Sequence, residues 1–276
     1  MGCQGALQGA ALTAALLASI SSAHAQQGED LREASQNPVA DLISVPLQNN
    51  TNLNVGRLDN TQNVLNIQPV IPIHLNQNWN LISRTIMPVI YQPPLFRGDS
   101  SDFGFGDFTP SLFFSPKKPK ALGPNVNLVW GAGPAFGLPT ATDPRLGTKK
   151  WSAGPSFVAL ILTKKIVSGF LINNLWSFAG EGGRPDVNAM TIQPFFNYNM
   201  PKGWYLTTSP IITANWEADN DNRWTLPIGG GIGRVFSVGK QPINAQLAYY
   251  YNVKSPALIG ADSQLRFQWT FLFPTH

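Results

Sequence analysis

Few side chains in this sequence are spaced for covalent or metal chemistry. The chain has 276 residues, with three histidines and one cysteine. His24 and Cys3 lie near the N-terminus and His276 is the last residue, so only His74 lies in the body of the chain. Nucleophilic catalysis needs a serine or cysteine beside a base, and zinc sites need clustered ligands. We therefore predict no catalytic residue, no metal site and no cofactor, and we expect that the protein is not an enzyme.

Three other motifs have simple explanations. Residues 229–233 are glycine-rich, but they lie in a predicted strand with no helix after it, unlike a phosphate-binding loop. Residues 97–99 form an isolated Arg-Gly-Asp tripeptide in a predicted loop, and adhesion through it is not the favoured interpretation. The acidic residues of 217–221 could bind calcium weakly or bridge lipopolysaccharide, although a solvated loop is the simpler interpretation.

The chemistry that remains is selection of solutes by polar side chains. Fourteen residues are predicted to line an interior lumen, and most of them carry amides or hydroxyls: Asn66, Gln68, Arg84, Asp107, Thr109, Ser111, Asn127, Gln193, Asn197, Thr207, Ser209, Gln264, Arg266 and Gln268. Arginine or lysine in a pore favours anions. The two arginines of this set therefore predict a small, weakly anion-preferring passive channel.

Such a lumen requires strands with one wet face and one apolar face. The segment 263–273 shows this pattern most clearly, because Leu265, Phe267, Trp269, Phe271 and Phe273 alternate with mostly polar residues. A period of two indicates a β-strand that separates two environments. Lipid on one side and water on the other is typical of an outer-membrane β-barrel.

The composition agrees with a barrel. Charged residues make up 12% of the chain, whereas about 25% is usual in soluble domains. The mean hydropathy is -0.06, and the body of the chain has no apolar run long enough for a membrane helix. The net charge of +4 is dispersed over loops and turns, so no nucleic-acid partner is predicted.

The N-terminus predicts export. Residues 10–20 are apolar and end near Ala23-His24-Ala25, a pattern typical of a signal peptide over residues 1–25, although no Lys or Arg precedes the apolar run. Residues 26–40 form a predicted periplasmic segment. Three interpretations of it remain open: a short tail, a helix, and a plug that folds back into the barrel. Residues 41–276 form the predicted barrel.

The barrel sequence divides into about twelve strand-length segments, and a transmembrane strand needs about 9–11 residues. We place the strands at 43–54, 63–75, 79–91, 105–115, 125–138, 151–163, 166–179, 188–200, 204–216, 224–237, 243–252 and 263–273. Short links follow the even-numbered strands and longer links follow the odd ones, as in bacterial barrels with short periplasmic turns. An even number of strands then places both termini in the periplasm.

Aromatic residues concentrate at the ends of these strands. A ring that is half in lipid and half in water prefers the membrane interface. Seven residues are therefore predicted to form two interfacial belts: Trp79, Tyr91, Trp151, Trp176, Trp204, Trp216 and Trp224.

Several longer strings resemble a known family. They are QNPVADLISVPLQNN at 36–50, GDFTPS at 106–111, WGAGP at 130–134, NNLWS at 173–177 and QPFFNYN at 193–199. The sequence resembles bacterial outer-membrane proteins labelled "MetA-pathway of phenol degradation, putative" or "transporter", which are often misnamed neuromedin U. The resemblance covers nearly the whole chain after residue 25. It implies an outer-membrane barrel with a role in uptake of small, including aromatic, compounds, and it supplies no site residues.

The sequence thus predicts an all-β, antiparallel, up-and-down outer-membrane barrel that acts as a channel or transporter for small solutes, with aromatic or anionic compounds as candidates. The alternative is a closed barrel with a structural, adhesive or sensing role. The expected partners are outer-membrane lipid, lipopolysaccharide, small solutes, and the barrel assembly machinery, which would read the C-terminal strand 263–273.

Overall fold

The structure is a computed structural model that describes residues 31–274. The predicted signal peptide and residues 26–30 lie outside the described residues. Residues 31–35 are helical and precede the strands. The strands are β1 Ile43–Val55, β2 Asn60–Ile67, β3 Val70–His74, β4 Trp79–Gln92, β5 Asp102–Phe105, β6 Thr109–Pro116, β7 Lys120–Gly123, β8 Val126–Gly137, β9 Lys150–Leu162, β10 Ile166–Gly180, β11 Asn188–Asn199, β12 Trp204–Thr208, β13 Ile212–Asn215, β14 Trp224–Val238, β15 Gln241–Lys254 and β16 Ser263–Phe273, with 3₁₀-helices at Gly56–Leu58 and Pro201–Gly203.

These segments form one closed antiparallel barrel of twelve wall strands. β2 and β3 are two parts of one wall strand, as are β5 and β6, and β12 and β13, while β7 is a short hairpin arm that pairs with β8. The barrel closes where β1 pairs with β16, from Ile43–Phe273 to Leu53–Ser263. Closure pairs the backbone groups that a sheet edge would leave exposed to lipid. The predicted fold class is confirmed.

The predicted strand boundaries agree with the structure to within a few residues, and three wall strands contain interruptions. Residues 68–69 separate β2 from β3, residues 106–108 separate β5 from β6, and residues 209–211 separate β12 from β13. The last interruption contains Pro210, which has no backbone N–H to donate to a ladder. The sequence analysis treated all three as continuous strands.

The outer face of the barrel is apolar. On β16, Leu265 and Phe267 are 43% and 47% exposed, whereas Arg266 between them is 2% exposed and faces the interior. The same alternation places Ile71 and Ile73 outside on β3. An apolar exterior on a closed barrel is the architecture of a protein of the bacterial outer membrane.

The seven predicted interface aromatics lie at or beside the ends of strands. Trp79 begins β4 and Trp204 begins β12, on the side of the short turns, while Tyr91 and Trp176 lie near the loop ends of β4 and β10. On the loop side, the rings of Trp216 and Trp224 meet edge to face with centroids 5.5 Å apart, and Trp151 is the second residue of β9. The structure therefore places aromatic rings near both rims of the wall.

Candidate functional site

A cavity of about 150 Å³ lies inside the barrel, between the wall and the N-terminal segment. The lining of this cavity combines residues from distant strands, at positions where inward-facing side chains alternate with lipid-facing ones. Seven of the fourteen predicted lumen residues line it: Gln68, Arg84, Gln193, Asn197, Thr207, Ser209 and Gln268. We call this space the inner cavity.

Arg84 carries a positive charge into the inner cavity. It lies on β4, opposite Ser111 of β6, and its Nη2 donates a 2.7 Å hydrogen bond to Oε1 of Gln68. Among residues 31–274, the ion pairs do not include Arg84. A guanidinium whose neighbour is an amide rather than a carboxylate keeps its charge available to a solute anion.

Arg266 occupies a different environment, because its guanidinium N–H groups donate hydrogen bonds to other residues of the barrel wall. Its Nε donates to Oδ1 of Asn50 at 3.1 Å, its Nη2 donates to Oε1 of Gln264 at 2.9 Å, and its Nη1 donates to the carbonyl of Ser209 at 2.8 Å. Its guanidinium carbon also lies 4.6 Å from the centre of the Tyr250 ring. Arg266 therefore holds several strands together, and it also lines a second cavity of about 360 Å³, as does Gln264.

Amides near the loop end of the barrel hydrogen-bond to one another across strands. Gln264 donates to Asn52 at 2.8 Å, Asn52 donates to Gln62 at 2.7 Å, and Gln62 donates to Gln92 at 2.5 Å. Of these four residues, the sequence analysis identified only Gln264. Their inward positions follow from the strand register, which the sequence alone does not give.

One side of the interior is apolar, which the sequence analysis missed. Buried side chains from β3, β4, β6 and β8–β11 form a single cluster with Val39 of the N-terminal segment: Val70, Ile82, Phe113, Val129, Val158, Leu160, Leu162, Val167, Leu171 and Phe195. Strands β9 and β10 are apolar on both faces, so their alternation is weak. The list of polar lumen residues therefore described only part of the wall.

The N-terminal segment, residues 31–42, packs into the short-turn end of the barrel. Arg32 donates a 2.7 Å hydrogen bond through Nη1 to the carbonyl of Met200. Gln36 donates through Nε2 to Oδ1 of Asn199 at 3.0 Å, and both of these side chains are buried. Val39 is 5% exposed within the apolar cluster. These contacts place the segment in the lumen rather than beside the barrel.

A second group of contacts joins this segment to β15 and β3. Asn244 of β15 donates through Nδ2 to Oγ of Ser35 at 3.1 Å and accepts a 2.6 Å hydrogen bond from the hydroxyl of Tyr205. His74 lies 2.9 Å from the carboxylate of Asp41. The segment therefore bridges separate strands of the wall.

The remaining predicted lumen residues differ in position. The carboxylate of Asp107 accepts hydrogen bonds of 2.7 Å from both the N–H and the hydroxyl of Thr148, and a 3.2 Å bond from the N–H of Ala141. Asp107 thus fixes the loop between β8 and β9. By the strand register, four others face the barrel interior but do not line the inner cavity: Asn66, Thr109, Ser111 and Asn127.

Ion pairs connect two loops at the loop end of the barrel. Lys149 donates a 2.7 Å hydrogen bond to Glu181 and thereby lowers the pKa of that carboxyl group. Lys150 lies 3.1 Å from Asp186, and this hydrogen bond lowers the pKa of the Asp186 carboxyl group. These contacts hold the loop after β10 against the loop before β9.

Over residues 31–274, the structure contains no helix long and apolar enough to cross a membrane. Within the same residues, no group of three or more His, Cys, Asp or Glu side chains is arranged to hold a metal ion.

No family model and no curated protein matches this sequence. The structure is similar to the COG4313 outer membrane channel from Pseudomonas putida F1, with a TM-score of 0.62 and 16% identity over 84% of this chain and 94% of that one. Two weaker likenesses are to outer membrane phospholipase A from Escherichia coli (TM-score 0.46, 12% identity, 85% and 93% covered) and to the CymD monoaromatic hydrocarbon channel (0.42, 13%, 91% and 93%). The first of these likenesses shows the fold: this chain forms a barrel like that of the COG4313 protein.

Proposed function

We propose that this protein is an outer-membrane channel that admits small solutes, with a preference for anionic and aromatic ones. The observation that carries this proposal is Arg84, a cation in the lining of the inner cavity whose hydrogen-bond partner is an amide rather than a carboxylate. The apolar cluster beside it would favour the ring of an aromatic anion. The channel would act passively, and lipid and lipopolysaccharide would surround it.

The N-terminal segment is proposed as the element that restricts flow. It fills the short-turn end of the lumen and contacts β3, β11 and β15. A twelve-stranded barrel is narrower than the sixteen-stranded barrels that hold open aqueous channels, so a segment inside it occupies much of its cross-section. The same observation favours the second candidate function, a closed barrel with a structural or sensing role.

Arg84→Gln should reduce the anion preference of the pore. The substitution removes one positive charge from the lumen but keeps a polar side chain, so we expect the chloride-to-potassium permeability ratio to fall at least about twofold. The reversal potential of the refolded protein in a planar bilayer under a KCl gradient measures this ratio.

Arg234→Gln is the matched control for that experiment. Arg234 pairs with Trp204 on the outer face, and its guanidinium carbon lies 5.1 Å from the Trp204 ring. This variant loses the same charge outside the lumen and should keep the permeability ratio. Equal ratios for Arg84→Gln and the unmodified protein would contradict the assignment of Arg84.

The C-terminal strand supports a further proposed partner. β16 ends at Phe273, faces lipid with alternate aromatic residues, and pairs with β1 to close the barrel. We propose that the barrel assembly machinery reads this strand before closure.

A further inference from the structure

A third cavity, of about 500 Å³, lies at the loop end of the barrel, between the long loops and the ends of β11, β13 and β14. We call it the outer cavity. Its volume lies within the range of about 300–1,000 Å³ that is usual for sites that bind small molecules. The lining that matters here is formed by Thr191, Thr213, Thr225, Arg184, Arg223 and Ile259.

Three hydroxyl groups lie side by side in the outer cavity. Thr191 of β11 pairs with Thr213 of β13, and Thr213 pairs with Thr225 of β14. Directly paired residues on neighbouring strands share one face of a sheet, and all three threonines line this cavity. Because each hydroxyl can donate one hydrogen bond, the row offers three donors to a single ligand.

Arg223 brings a positive charge to this row from the loop before β14. Its Nη2 donates to the carbonyl of Ala218 at 3.2 Å, and its guanidinium carbon lies 5.7 Å from the centre of the Trp216 ring. Its Nε is buried and has no hydrogen-bond partner among residues 31–274. A guanidinium has five N–H donors. The group is therefore held in place while several of its donors stay available.

Arg184 brings a second positive charge from the loop after β10. Its Nη2 donates to the carbonyls of Pro144 and Gly147 at 2.6 and 2.5 Å, and its Nε donates to the carbonyl of Thr148 at 3.5 Å. Within the described part of the chain, Nη1 has no hydrogen-bond partner. A guanidinium that is already fixed loses little conformational freedom when it binds a carboxylate.

Carboxylates of the protein do not neutralise these two arginines at contact distance. Over residues 31–274, the ion pairs include neither of them. Asp186 is the one acid among the described residues of the lining, and it accepts hydrogen bonds from Lys150 at 3.1 Å and from the hydroxyl of Ser177 at 3.3 Å. In the next loop, Asp219 accepts hydrogen bonds from Asn222. The outer cavity therefore has a net positive charge.

Apolar side chains complete the outer cavity. Val187 comes from the loop after β10, while Pro256 and Ile259 come from the loop between β15 and β16. The N–H of Ala257 donates to Oδ1 of Asn222 at 3.1 Å, which fixes this last loop over the cavity. Ile259 is 56% exposed, so part of its surface can be buried by an apolar group of a ligand.

The outer cavity adjoins the cavities deeper in the barrel. Four residues line both it and the second cavity: Thr213, Thr225, Pro256 and Ile259. The second cavity is also lined by Arg266, whose Nη1 bonds to the carbonyl of Ser209 in the lining of the inner cavity. A solute held in the outer cavity is therefore next to the axial path.

We propose that the outer cavity is a binding site that captures small organic carboxylates with an apolar body, of which benzoate is the simplest aromatic example. Arg184 and Arg223 bind the carboxylate through charge-assisted hydrogen bonds, the threonine hydroxyls donate to the same oxygens, and the apolar body packs against Ile259. The site deepens the proposed function, on which it rests for onward passage, but binding itself requires no conduction.

Calorimetric titration of benzoate into the refolded protein in detergent micelles tests this site. The Arg84→Gln background is used, so that the lumen cation of the proposed channel does not contribute. We expect one benzoate to bind per chain, about tenfold more weakly after Arg223→Gln, because charge-assisted hydrogen bonds are lost. Arg97→Gln is the matched control. Arg97 is exposed in the loop between β4 and β5, away from the three cavities, and its substitution should leave the affinity unchanged.

Two further ligands give a readout that needs no variant of the outer cavity. Benzyl alcohol keeps the ring without the charge, and acetate keeps the charge without the ring. Each should bind at least about tenfold more weakly than benzoate. Heat-modifiable gel mobility establishes that each variant is folded, and Arg184→Gln replaces Arg223→Gln if that variant does not fold.

Three results would overturn the capture site: no benzoate binding, equal affinity for benzoate and benzyl alcohol, or benzoate binding unchanged by substitution of Arg184 and of Arg223. Conductance of the same protein in a planar bilayer reports separately on the channel. A folded protein that binds benzoate and conducts no ions would contradict the proposed function and support the capture site.

Discussion

Deletion of residues 26–40 should raise the single-channel conductance severalfold. The described part of this segment occupies the short-turn end of the lumen, where Gln36 bonds to Asn199 at 3.0 Å and Val39 packs in the apolar cluster. Its removal widens the narrowest part of the path, because conductance follows the open cross-section of a pore. Planar bilayer recording of the refolded variant measures the change.

The barrel wall should survive this deletion. β1 begins at Ile43 and its closing ladder with β16 begins at the Ile43–Phe273 pair, beyond the deleted residues. A synthetic peptide of residues 26–40, added on the side of the short turns, should restore the low conductance, and a scrambled peptide should not. A folded deletion variant with unchanged conductance would show that the segment does not restrict the pore.

Gly133→Val should strongly destabilise the barrel. A Cβ atom at Gly133 would lie 2.0 Å from the carbonyl oxygen of Leu112 on the neighbouring strand. The ladder between β6 and β8 has only two paired positions, Ser111–Ala135 and Phe114–Ala132, so it has little pairing to resist separation. We expect a loss of about 3 kcal/mol in the free energy of unfolding, measured by urea titration of heat-modifiable gel mobility in lipid.

Gly182→Val is the control for this substitution. Gly182 lies in the loop after β10, and a Cβ atom there would meet nothing within 4 Å. The side chain added is the same, but it enters open space, so folding should be unaffected. Normal folding of Gly133→Val would show that β6 and β8 can separate without loss of the barrel.

Strong alternation made the fold predictable from sequence. Strands such as β8, β11 and β16 place apolar residues on one face and polar residues on the other, and a period of two fixes which side meets lipid. The even number of wall strands and the closure followed from segment lengths and alternating link lengths. These features are local, so a single sequence contains them.

The interior was less predictable, because it depends on contacts between distant strands. Gly131 and Val158 meet across β8 and β9, yet nothing local distinguishes the inward Val158 from the outward Ile161. Asp107 looks like a lumen acid in sequence, but Thr148 binds its carboxylate from a loop more than forty residues later. The interruption at Pro210 was missed because proline also occurs in paired positions such as Pro110.

The most direct test of the proposed channel is single-channel recording of the refolded protein in a planar bilayer, with and without a salt gradient. We predict discrete conductance steps, larger after deletion of residues 26–40, with a reversal potential of the sign that indicates anion preference. Silence from both forms, with heat-modifiable mobility showing that both are folded, would contradict an axial channel and indicate a closed barrel.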